Sequence, residues 1–208
     1  PVPAAQRSHQ LADFDSLVEA ITDDKIASDP EVYVAQGSIV ALLDRSDRRA
    51  RVSVALATSH RFAVCEKLET PTRLTPKDAV RLLKLELHGG THDPVTQALS
   101  RIDFKRAVGA ASDLAHGRET LGRSVEASVQ QAKDIPEQFT VAIPIWTTQG
   151  SQQYVQHVTF GLYLDLEGQV VELRVLSDEC EAARNRALQQ VAADLRKSLA
   201  GAAPVFLG

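Results

Sequence analysis

Between Ile135 and Leu176, apolar and polar residues alternate with the period of half-buried β-strands. Phe139, Val141, Ile143 and Ile145 interleave with Thr140, Ala142, Pro144 and Trp146. Val158, Phe160, Leu162, Leu164 and Leu166 form a second row, Glu167-Gly168 supplies a turn, and Val171, Leu173 and Val175 form a third. The stretch predicts a β-meander. The period then changes. From Asp178 to Ala200, Leu188, Val191, Leu195 and Leu199 recur at helical spacing, with Ser177 as the expected cap and Gly201 as the stop. Asp178, Glu179 and Glu181 favour the positive end of that helix's dipole, and Arg196 and Lys197 the negative end. The helix is expected to close the meander, with its leucines against Phe160, Leu162 and Leu164.

Upstream, Leu11, Phe14, Leu17, Val18 and Ile21 predict an amphipathic helix from Gln10 to about Asp24. Short β-branched runs follow at Val32–Val34, Ile39–Leu43, Val52–Leu56 and Phe62–Cys65, with a turn at Gln36-Gly37 and a charged loop from Asp44 to Arg51. Thr75-Pro76 starts a helix, with Val80, Leu83 and Leu87 as its apolar face and Gly89-Gly90 as its end. A short helical turn is expected over Pro94–Ile102, a helix from Asp103 to Gly117, and a strand within Arg118–Gln130. Together these predict an α+β fold: a mixed or mostly antiparallel sheet with helices packed on it. Residues 1–10 are read as a flexible arm and residues 11–208 as one domain.

The balance of 44% hydrophobic and 24% charged residues over 208 positions is that of an ordinary globular chain. A formal net charge of -4 gives no global attraction to nucleic acid or anionic lipid. The two cysteines, Cys65 and Cys180, form no CxxC or His/Cys cluster, which fits a reducing compartment. No apolar run reaches membrane-spanning length, and the first residues lack the apolar core of a secretory signal. The expectation is a soluble protein of the cytoplasm with no membrane partner.

The segment Ile135-Pro-Glu-Gln-Phe-Thr-Val-Ala-Ile-Pro-Ile-Trp146, the strand from Tyr154 to Leu164, its return from Val170 to Leu176 and the closing helix resemble the YfdQ-like family. His60-Arg61-Phe62-Ala63 and Thr75-Pro76-Lys77-Asp78 extend the resemblance upstream, over most of Leu11 to Gly208. These are proteins of unknown function encoded mainly by temperate phages and prophages. The resemblance implies a phage origin and a setting in the host bacterial cytoplasm, and it carries no catalytic residues. The chain departs from the family in having only Lys67-Leu-Glu-Thr-Pro-Thr-Arg73 where a tryptophan-rich stretch is usual.

Candidate chemistry is sparse. Arg45, Arg48, Arg49 and Arg51 crowd one loop, and guanidinium is well shaped to hold phosphate, although Asp44 and Asp47 are interleaved with them. Lys77, Arg81 and Lys84 fall on one side of a helix and form a stripe that can follow a nucleic-acid backbone. Trp146 is a candidate for stacking on a base. Glu86, His88, His92 and Asp93 carry suitable ligand chemistry, but a Gly-Gly break keeps the histidines off a common helix face, so no metal is expected. There is no GxSxG elbow, Walker A loop or strand-borne GxGxxG. The reading is therefore a protein that is not an enzyme, needs no cofactor, and acts by self-association or through a protein partner. The alternative is a nucleic-acid- or nucleotide-binding accessory in phage DNA metabolism or in counter-defence.

Overall fold

The structure, a computed structural model, describes residues 7–48, 50–87, 94–101, 135–147, 154–165 and 168–208. The helix expected from Asp103 and the strand expected within Arg118–Gln130 lie outside them. Among the described residues the fold is α+β, with 11 strands in mixed and antiparallel sheets and 5 helices. By its contacts the chain divides into two compact units built from interleaved segments. The first takes Pro1–Phe62, Pro144–Gln156 and Glu181–Gly208, and the second takes Ala63–Ile143 and His157–Cys180.

The first unit is built on a five-stranded sheet ordered β1-β4-β3-β2-β11. β2 (Glu31–Ala35) and β3 (Ser38–Leu42) form a hairpin whose turn needs Gly37, at φ 89°. β4 (Ala50–Ala55) pairs antiparallel with β3, and β1 (Arg7–Leu11) pairs parallel with β4. Arg7–Gln10, read above as part of a loose arm, are thus strand residues, held by a partner too distant in sequence for local pattern to reveal. One face of the sheet is core, with Val32, Val34, Ile39, Ala41, Val52 and Val54 buried. Helix α1 (Phe14–Thr22) packs on β1 and β4, and begins where the Asp13 carboxylate accepts from the Ser16 amide at 2.8 Å.

A two-stranded ribbon of β5 (Ala57–Thr58) and β8 (Trp146–Thr147) also belongs to this unit. Helix α2 spans His60–Lys67, so the Phe62–Cys65 run is helical and the strand expected there is corrected. Ser59 caps it: its hydroxyl accepts from the Phe62 amide at 3.0 Å and donates to the Pro144 carbonyl. Phe62, Cys65 and Leu68 then fall on one buried side, a helical spacing the short apolar run concealed.

The long helix, α5 (Glu179–Leu199), buries Ala183, Ala187, Leu188, Val191, Ala192, Leu195 and Leu199. Its start lies one residue later than expected. Asp178, at φ 63°, turns the chain into the helix, and Ser177 stands in the preceding turn rather than at the cap. Ala200 and Gly201, both at positive φ, end it. The chain then forms β11 (Val205–Leu207), parallel to β2, and Arg196 donates to the Val205 carbonyl at 2.9 Å.

The second unit holds a four-stranded sheet ordered β6-β10-β9-β7. Its strands are β6 (Thr72–Leu74), β7 (Gln138–Pro144), β9 (Val155–Asp165) and β10 (Val170–Val175). The alternation predicted here holds: Val141, Ile143, Val158, Phe160, Leu162, Val171, Leu173 and Val175 are buried, and Phe139 stacks on Phe160 at 5.4 Å. Helix α3 (Pro76–Arg81) starts as expected, with the Thr75 hydroxyl accepting from the Asp78 amide at 3.2 Å. It widens into a π-helical turn over Leu82–Leu87, and the buried set becomes Ala79, Leu83 and Leu87 rather than one including Val80. That spacing of four suits the looser winding. Helix α4 (Pro94–Arg101) packs on α3.

Candidate functional site

Register fixes what the open face of the five-stranded sheet presents. Phe206, Tyr33, Val40, Ser53 and Gln10 lie side by side across its strands, and Glu31, Leu42, Arg51 and Ser8 form the next row. Tyr33 and Phe206 are 38% and 43% exposed, and their rings stack at 5.4 Å with planes 27° apart. The pair therefore offers apolar area to solvent at the edge of a sheet whose other face is core.

Charged neighbours hold the Tyr33 ring. Its hydroxyl donates to Glu31 Oε2 at 2.8 Å, and the same carboxylate receives Arg45 Nε at 2.7 Å through Oε1. Arg45 Nε also lies 3.3 Å from Asp29, and the Arg45 amide donates to the Asp29 carbonyl at 3.0 Å. The hydrogen bond to Glu31 raises the Tyr33 phenol above its ordinary value; loss of hydration and the Glu31 charge add to this, and Arg48 and Arg45 oppose it. Arg48 is exposed.

Asp44 organises the loop that carries these arginines. Its carboxylate accepts from Ser46 Oγ at 2.6 Å, the Ser46 amide at 2.7 Å, Ser28 Oγ at 2.9 Å and the Asp47 amide at 3.3 Å. The hydroxyls of Ser46 and Ser28 are the main reason its pKa falls to about 2.

The arginine loop reads differently once its contacts are known. Arg45 is committed to two carboxylates, Arg51 reaches Ser8 Oγ at 3.4 Å from the sheet face, and Arg48 stands free of ion pairs among the described residues. Arg49 lies outside the described residues. A four-arginine phosphate grip is not assembled by the three that are described. Trp146 is 2% exposed, with its ring edge-on to Tyr154 at 6.2 Å, so it is a core residue with no face to offer a base. Lys77, Arg81 and Lys84 are all exposed, but the π-helical turn after Arg81 breaks the regular stripe that their spacing implied. They belong to the second unit, and Arg45, Arg48 and Arg51 to the first.

Of the potential metal ligands, His88, His92 and Asp93 lie outside the described residues. Among the described residues no group of three or more His, Cys, Asp or Glu side chains comes together. Burial raises both the Cys65 and Cys180 thiols to about 12, so neither is a ready thiolate. No helix among the described residues is long and apolar enough to cross a membrane.

The sequence reading missed Phe206 and the pairing that makes Tyr33 conspicuous. The only local signal was the apolar triplet Val205-Phe206-Leu207 after Gly201, too short to distinguish a strand from a tail. Comparisons with family models, curated proteins and solved structures found no significant match to this chain.

Proposed function

We propose that this chain is a non-enzymatic interaction protein that associates with a second copy of itself through the open face of the five-stranded sheet at β2 and β11. The stacked, solvent-facing Tyr33–Phe206 pair carries this reading. Aromatic side chains are among the groups most enriched at the centres of protein interfaces, and this aromatic pair is already held in place by the Tyr33 hydroxyl on Glu31. A two-fold interface brings a patch against its own copy and so favours one containing both charge signs, as the Asp29, Glu31 and Arg45 group does. The commitment of Arg45 to two carboxylates favours a protein surface over a phosphate backbone.

Contact through the face is also favoured over simple sheet extension. β11 spans only three residues, and Arg196 occupies the Val205 carbonyl. Short, blunted edges of this kind discourage strand addition. The high pKa of both thiols supports a role without cysteine catalysis. A phage origin and a place in the host cytoplasm are part of the proposal and rest on the resemblance to the YfdQ-like proteins. Sedimentation velocity over a concentration series tests self-association: a growing dimer species supports it, and a 22.6 kDa monomer at every concentration overturns it. A nucleotide-binding accessory is the second reading, favoured by a cleft in the other unit.

A further inference from the structure

The four-stranded sheet also has an open face, with a different character. On β9, Gly161 and Tyr163 point to that face; on β10, Arg174 stands opposite Gly161 and Glu172 opposite Tyr163. Arg73 on β6 lies opposite Glu172 and reaches it, Nε to Oε2, at 3.5 Å. A cleft of about 390 Å³ opens here, lined by Glu137, Gly161, Tyr163, Glu172, Arg174 and Leu176 among others. That volume falls within the range of small-molecule sites.

Two features point to a ligand, beside a glycine that its neighbours cover: a Cβ on Gly161 would lie 3.2 Å from Leu176 Cδ2 and in ordinary contact, at 3.6 Å, with Cγ and Nε of Arg174, so the Arg174 side chain runs across Gly161. Tyr163 is 64% exposed and stacks on no other ring among the described residues. Arg174 makes no side-chain hydrogen bond or ion pair among the described residues, whereas Glu172 next to it is paired with Arg73. An unstacked aromatic ring and an uncommitted guanidinium in one cleft are parts that hold a planar ring bearing an anion. Glu137 adds a carboxylate that can accept from ring N–H groups.

We propose that this cleft binds one nucleotide unit, with the base against Tyr163 and a phosphate on Arg174. Glu172 is offset by Arg73, which leaves Arg174 as the cation that meets the phosphate. The site is independent of the Tyr33–Phe206 face, and either can fail without the other.

Equilibrium dialysis of the full chain against AMP, GMP, ATP and a short single-stranded oligonucleotide tests this. The expected result is saturable binding of a nucleotide, weakened about tenfold or more by Arg174→Gln and by Tyr163→Ala. Phe206→Asp, in the other unit, is expected to leave it unchanged. Binding of the mononucleotides identifies a free nucleotide as the ligand; binding of the oligonucleotide alone, with the same two losses, identifies a strand. Absence of saturable binding overturns the proposal. So does binding that survives both substitutions.

Discussion

Leu195 is the most informative single core substitution. It is fully buried in α5, between Val191 and Leu199, which are also buried. Truncation to Ala removes ~3 carbon groups, a transfer term of roughly 2.4 kcal/mol at about 0.8 kcal/mol each. A cavity term adds to it, and the expected loss is about 3–4 kcal/mol, within the roughly 2–5 kcal/mol measured for buried leucines. Trp146, the sole tryptophan, is buried in the same unit, so its fluorescence during urea unfolding reports the part of the chain that Leu195 stabilises. The exposed Gln189 on the same helix provides the control, and Gln189→Ala is expected to change stability little. A Leu195→Ala loss within about 0.5 kcal/mol would mean that the helix is not packed as described.

Other consequences can be measured directly. Ser59→Ala removes the α2 cap and leaves the half-buried Pro144 carbonyl without this donor, so it is expected to cost roughly 1–3 kcal/mol by the same Trp146 signal. Asp44 has a folded pKa of about 2, below its ordinary 3.8, so its contribution is present above the ordinary value and is lost as pH falls through about 2. The Ser46 amide resonance should therefore hold its position down to about pH 3 and move only below it. Cys65 and Cys180 are buried with raised thiol pKa values, so a thiol reagent at neutral pH should find neither in the folded protein and both after denaturation.

What the sequence revealed was what local periodicity encodes. The meander, the β2–β3 hairpin with its Gly37 turn, the Thr75 cap and the apolar stripe of α5 are all patterns within a few residues of one another. β1 and β11 were not legible, because each is a short strand whose partner lies far along the chain. Phe62–Cys65 read as a strand because four apolar residues carry no clear period; the deciding residue, Ser59, lies outside the run. The aromatic pair was hidden for a similar reason, since Tyr33 and Phe206 meet only after parallel pairing brings the two ends of the chain together. Charge clusters misled in the opposite direction. Four arginines in seven residues look like an anion site, yet Arg45 is taken up by Asp29 from before β2 and Glu31 from β2 itself.

Light scattering of the eluting protein, with wild type and Phe206→Asp side by side, tests the central claim most directly. Phe206 is 43% exposed and paired only with another exposed ring, so the substitution should leave the monomer folded while placing a hydrated charge in the contact. The account predicts a wild-type mass of twice the chain's 22.6 kDa, falling to a single chain in the variant with its circular dichroism unchanged. A wild type that elutes as a monomer, or a dimer that survives Phe206→Asp intact, would contradict it.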